Sequence, residues 1–136
     1  HRYEVLRELQ RAGIPTVVWM TPILPFLTYT RENVETIVDW CIDAGVKGII
    51  CWNMGMTLRE GDREYYYRAL DRYFPGLSLK YREKYGNSYE VVSSRNAELM
   101  TWFHDQCEKH GILHTPETCF TYMHELPERY EQMTLF

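Results

Sequence analysis

The amino-acid sequence predicts an α/β protein, and three observations carry that reading. Thr16 to Met20 is a short unbroken apolar run, and Val46 to Trp52 is a second β-rich run. Between them Val34, Ile37, Val38 and Cys41 recur at helical spacing. Strand, helix and strand thus follow within about 40 residues, the signature of a right-handed parallel crossover.

The elements follow in order. Arg2 to Ala12 places Val5, Leu6 and Leu9 on one helical stripe, and Gly13 stands where a left-handed cap is wanted. Pro15 forces Ile14 into extended backbone, so the run after it reads as a strand buried on both faces. The stretch from Thr21 to Tyr29 is a loop whose two prolines set its path, and its apolar content predicts that it lines something. Thr30 caps the next helix, Glu32 suits its dipole, and Gly45 closes it. After the second strand the chain turns helical from about Asp62 to Tyr73, breaks at Pro75-Gly76 and resumes to Tyr85 before Gly86. Asn87 to Ser94 reads as a polar loop with Ser94 capping a helix that carries Leu99, Phe103 and Cys107 and stops at Gly111. Ile112 to His114 is a third strand-like piece. Thr115-Pro116 opens a short helix from Glu117 to about His124, and Glu128 to Phe136 is a tail.

Composition bounds the function classes. The 136 residues are 45% hydrophobic and 15% aromatic, which supplies a core and excludes a disordered or collagen-like chain. A formal net charge of -4 argues against a wholly basic nucleic-acid-binding surface. The longest apolar stretches fall far short of the roughly 20 residues a membrane helix needs, so a soluble, cytoplasmic protein is expected. Cys41, Cys51, Cys107 and Cys119 lie within regular elements and are expected to be reduced, buried thiols. The chain enters helical periodicity directly from His1-Arg2-Tyr3-Glu4, which reads as a cut piece of a longer protein.

The cysteine spacing excludes a C-x-x-C type metal or cluster site, and the five histidines form no H-E-x-x-H or H-x-H pattern, so no metal site is expected. His104 and His110 are expected on a helix surface. The Gly-rich phosphate cradles are absent. Arg59, Arg63, Arg68 and Arg72 recur beside Tyr65, Tyr66 and Tyr67, an arrangement able to grip phosphates and bases. The competing reading is a solvated face neutralised by Glu60, Asp62, Glu64 and Asp71. Ligands of parallel α/β folds bind at the carboxyl ends of strands, which directs attention to Met20 to Pro25 and to Cys51 to Met56. Apolar side chains with open backbone amides suit a flat heterocycle such as adenine; the alternative is that these loops merely close an end of the fold.

Several segments together carry a resemblance. They are Ala12-Gly13-Ile14-Pro15-Thr16 through Thr21-Pro22-Ile23-Leu24-Pro25, then Asp43 to Ile50, then Leu58-Arg59-Glu60 and Tyr73-Phe74-Pro75-Gly76-Leu77. In this order they resemble the C-terminal part of radical S-adenosylmethionine proteins of the spore photoproduct lyase-like group, often labelled DNA repair photolyase-like. The resemblance implies late strands and helices of a partial (β/α)6 TIM-like barrel: residues 1–57 as its late βαβ portion, 58–127 as a helical C-terminal extension, and 128–136 as the tail. It implies a lyase-like parent that uses S-adenosylmethionine and a [4Fe–4S] cluster held by a C-x-x-x-C-x-x-C motif, with a role in DNA repair. That motif is missing from this chain, so the fragment alone is expected to be inactive and to bind neither cofactor tightly. By the same analogy Thr21, Ile23 and Pro25 would contact the adenosyl part, and Trp52, Asn53 and Met54 would flank adenine. The lyase's hydrogen-donor cysteine maps onto no Cys here.

The tail suggests a different class of function. Gln132-Met133-Thr134-Leu135-Phe136 resembles the Q-L-[SD]-L-F peptide with which bacterial repair and replication proteins engage the sliding clamp, with Gln132, Leu135 and Phe136 as anchors. The alternative function is therefore a non-catalytic domain that binds nucleic acid through Arg59, Arg63 and Arg68, or the clamp through its tail. Leu135 and Phe136 folding back onto the core is the competing reading of the tail.

Overall fold

A computed structural model describes residues 1–125. The chain runs α1 (Arg2–Arg11), β1 (Val17–Trp19), α2 (Arg31–Asp43), β2 (Gly48–Ile50), β3 (Gly55–Thr57), α3 (Asp62–Tyr73), α4 (Leu77–Tyr85), β4 (Glu90–Val92), α5 (Asn96–Lys109) and α6 (Pro116–His124). β1 and β2 pair in parallel, with Val17 opposite Gly48 and Trp19 opposite Ile50. Leu113 extends this sheet on the far side of β2 through a parallel bridge to Gly48, with Ile49 N donating to Leu113 O at 2.8 Å and Leu113 N to Lys47 O at 3.0 Å. Ile112 to His114 is therefore strand-like, as its sequence predicts. Among the described residues no helix is long and apolar enough to cross a membrane.

Local chemistry explains most boundaries. Thr30 Oγ1 accepts from Asn33 N at 3.3 Å at the start of α2, and Thr115 Oγ1 accepts from Thr118 N at 3.2 Å ahead of Pro116. Ser94 does not cap α5. Its N-cap is Arg95, whose amide donates to Ser93 Oγ at 3.1 Å, because Ser93 is the serine buried beneath that turn.

Two further expectations change. β1 is not buried on both faces: Trp19 is 53% exposed, since among the described residues β1 pairs only with β2 and has an open edge. The segment from Asn87 to Ser94 is not simply a loop, because Glu90–Val92 pairs antiparallel with Gly55–Thr57. That pairing brings the backbones so close that a side chain at position 55 would run into the Val91 carbonyl, which is why glycine stands there.

The core has two parts. The larger joins Met20, Ile23, Val34, Val38, Ile49 and Cys51 to Leu99, Phe103 and Cys107 of α5. The smaller gathers Leu58, Tyr67, Leu70, Tyr81 and Val91 between α3, α4 and the antiparallel pair. Helix α5 thus packs with the parallel unit although α3 and α4 intervene in the chain.

Candidate site at the carboxyl ends of the parallel strands

Parallel pairing sends both strands out at the same end of the sheet, so the segments that follow them meet. Met20 N still donates to Ile50 O at 2.9 Å one residue beyond β1. A cleft of about 450 Å³ opens there. Trp19, Thr21 and Pro22 form its β1 side and Trp52 and Asn53 its β2 side, while Met56, Thr57 and Glu90 close it from the antiparallel pair. The Trp19 and Trp52 rings lie 4.9 Å apart at 54° and are about half exposed, at 53% and 51%. Phe120 of α6 backs them at 6.2 and 6.4 Å.

The first loop is held rigidly. Leu24 N donates to Thr28 Oγ1 at 2.8 Å, Thr28 O accepts from Asn33 Nδ2 at 2.8 Å, and Ile23 N donates to Gly55 O at 3.0 Å. The fully buried Tyr81 donates its hydroxyl to Pro25 O and accepts from Tyr66 at 3.0 Å, and burial pushes its pKa far up. Phe26 takes the left-handed conformation at φ 64 and packs edge-on against Tyr81 at 5.2 Å. A bulky residue in that region is strained, and here the surrounding aromatic rings hold it.

Of the six residues that the resemblance assigns to S-adenosylmethionine, Thr21, Trp52 and Asn53 line the cleft. Ile23, Pro25 and Met54 are buried below it. The Met54 amide donates to Asn96 Oδ1 at 2.7 Å and the Pro25 carbonyl is taken by Tyr81, so these groups brace the loops. Trp19, Thr57 and Glu90 were not singled out by sequence reasoning. A tryptophan at the end of a strand was a readable signal; Glu90 carried none, because it reaches the cleft only through the pairing of β4 with β3.

The arginine-rich segment divides, with Arg59 and Arg63 engaged by the protein itself. Arg63 donates to Asn87 Oδ1 at 3.1 Å, Leu58 O at 3.0 Å and Ser88 O at 2.8 Å, tying α3 to the chain that enters β4. Arg59 lies against Tyr89 and holds its phenol below the usual range. Tyr67 is buried and Tyr66 half-buried, whereas Arg68, Arg72 and Tyr65 are exposed. Gln132, Leu135 and Phe136 lie outside the described residues.

The four cysteines are free and buried. Burial raises the Cys41 thiol to about 11 and the Cys51 and Cys107 thiols to about 12. Among the described residues no three His, Cys, Asp or Glu side chains gather as a metal site. His110 is exposed, but His104 is half-buried against His114, with Nδ1 to Nδ1 at 2.8 Å, which corrects its expected surface position. Burial first, then the neighbouring His114, lowers its pKa.

No family model matches the chain, and no solved structure matches it. An uncharacterized protein of Mycobacterium tuberculosis is 30% identical over 84 residues, a match covering 62% of this chain and 24% of that protein. An uncharacterized protein of Mycobacterium bovis matches with the same identity and coverage. The chain thus spans only about a quarter of the length of the curated relatives it matches.

Proposed function

We propose that this chain is the C-terminal part of a cytoplasmic radical S-adenosylmethionine enzyme, and that its cleft holds the adenosyl portion of that compound. The observation that supports this reading is the convergence of the segments after two parallel strands on one cleft with exposed indole faces. Such strand ends are where ligands of parallel α/β folds bind. Trp19 and Trp52 offer stacking surface, and Thr21 and Asn53 supply hydrogen-bonding side chains. The four free thiols suit a reducing compartment.

The cluster is a different matter. The thiols of this chain are buried in neutral surroundings and belong to no metal-binding group among the described residues, so they do not fit a [4Fe–4S] site. In this reading the upstream chain supplies the cluster, and these residues hold and orient the adenosyl group and exclude water from it.

The test uses the full reading frame. It is expected to encode C-x-x-x-C-x-x-C upstream. Its anaerobically reconstituted, reduced product is expected to form 5′-deoxyadenosine from S-adenosylmethionine, with weaker cofactor affinity in Trp52→Ala. A frame without that motif, or a reconstituted protein that forms no 5′-deoxyadenosine, overturns the proposal.

A further inference from the structure

The charge of the cleft points beyond stacking of a neutral base. Among the described residues that line it, Glu90 alone is charged, and no Lys or Arg faces it. Trp19 and Trp52 meet at 54° and each is about half exposed, so together they form a corner rather than a closed stack. The face of an indole carries the negative end of its quadrupole and attracts a cation.

Elsewhere the protein supplies such cations itself: the Arg31 guanidinium sits 4.7 Å from the centre of the Trp102 ring, and that of Arg82 4.6 Å from Tyr67. Among the described residues no Lys or Arg lies over Trp19 or Trp52. We infer that the cleft recognises an organic onium cation, a sulfonium or quaternary ammonium group, held against the Trp19 and Trp52 faces and balanced by the Glu90 carboxylate. The inference rests on the cleft being a ligand site, but not on radical chemistry.

The chemical class follows from the walls. Pro22 and Met56 give the cleft an apolar lining beside the indoles. A primary ammonium is strongly hydrated and would have to exchange its water for the side-chain oxygens of Thr21, Asn53, Thr57 and Glu90, gaining little from the indoles themselves. An alkylated onium has no N–H to satisfy and spreads its charge over carbon, so it gains ring contact at a small desolvation cost. An anionic phosphate chain would meet Glu90 with no cation to offset it.

The experiment compares isosteres of different charge on the 136-residue chain. Choline and its neutral analogue 3,3-dimethylbutan-1-ol are titrated while the four tryptophan indole N–H resonances are followed by NMR. Choline is expected to shift the Trp19 and Trp52 signals and to bind at least about threefold more tightly than the neutral alcohol. Glu90→Gln should weaken choline by a similar factor and leave the alcohol unchanged, and Trp52→Leu should weaken both. Both positions are exposed, so the variants are expected to keep the wild-type melting curve. Equal binding of choline and the alcohol, no binding of choline, or shifts confined to Trp40 and Trp102 overturns the inference.

Two further arms separate the source of the cation and the earlier reading. S-adenosylmethionine binding more tightly than the neutral thioether S-adenosylhomocysteine supports a sulfonium. Choline selectivity without adenosine binding retains the onium site and removes the adenosyl reading. Adenosine binding with no preference for charge does the reverse.

Discussion

The parallel unit and the antiparallel unit solve the same packing problem with different chemistry. Around β2 the core is aliphatic and sulfur-rich, and its interior groups need no partners: Val34, Val38, Ile49, Leu99 and Phe103 are fully buried. Between α3, α4 and the β3–β4 pair the core is built from tyrosines, and most hydroxyls there must find acceptors. Tyr81 donates to Pro25 O and Tyr85 to Val92 O at 2.8 Å. Apolar packing tolerates small adjustments, whereas buried hydroxyls define positions of the backbone. The tyrosine unit therefore acts as a brace, holding Pro25 beneath the cleft whose walls the parallel strands provide.

The aliphatic core is the more sensitive of the two to truncation. Phe103→Ala removes a ring buried between α5 and the parallel unit and is expected to cost about 3–5 kcal/mol in urea unfolding. The thiols of the same region give a pH signature. Unfolded thiols ionise near 9.0, whereas those of Cys41, Cys51 and Cys107 are held at about 11 to 12 by burial. The unfolded state thus loses protons first, so stability is full below pH 9 and falls as pH climbs from about 9 toward 12. Cys51→Ala combined with Cys107→Ala should flatten that decline, measured as the urea midpoint against pH. An unchanged decline would place its origin in the tyrosines instead.

The tyrosine unit answers to a smaller change. Tyr81→Phe keeps the ring but leaves the Pro25 carbonyl and the Tyr66 hydroxyl without their partner, at an expected cost of about 1–3 kcal/mol. Faster hydrogen exchange at Leu24 and Thr28 than in wild type would show that the loop is held from below. Thr30→Ala should cost about 1 kcal/mol through loss of the α2 cap, read as a lower melting temperature with the cleft resonances unmoved.

Much of the fold was readable locally. The bounds of α2, α3, α4 and α6 follow from Thr30, Gly45, Pro75-Gly76, Gly86 and Thr115-Pro116, each of which acts on its immediate neighbours. The parallel relation of β1 and β2 followed from the helix between them. The antiparallel pair was not readable, because Gly55–Thr57 and Glu90–Val92 are three residues each and neither shows a period; each becomes a strand only against the other. The site was half readable for the same reason. Thr21, Trp52 and Asn53 sit on loops that leave predicted strands, while side-chain direction separated them from Ile23, Pro25 and Met54.

By itself, then, the sequence determined the helices, the caps of α2 and α6, the parallel crossover and the burial of four thiols, since turn chemistry and hydrophobic period operate over a few residues. Tertiary structure alone decided that Trp19 stays exposed beside Trp52, that His104 meets His114, and that Glu90 enters a cleft formed by residues far from it in the chain. Those outcomes depend on long-range pairing and on the face each side chain takes, and neither is encoded in any single stretch of residues.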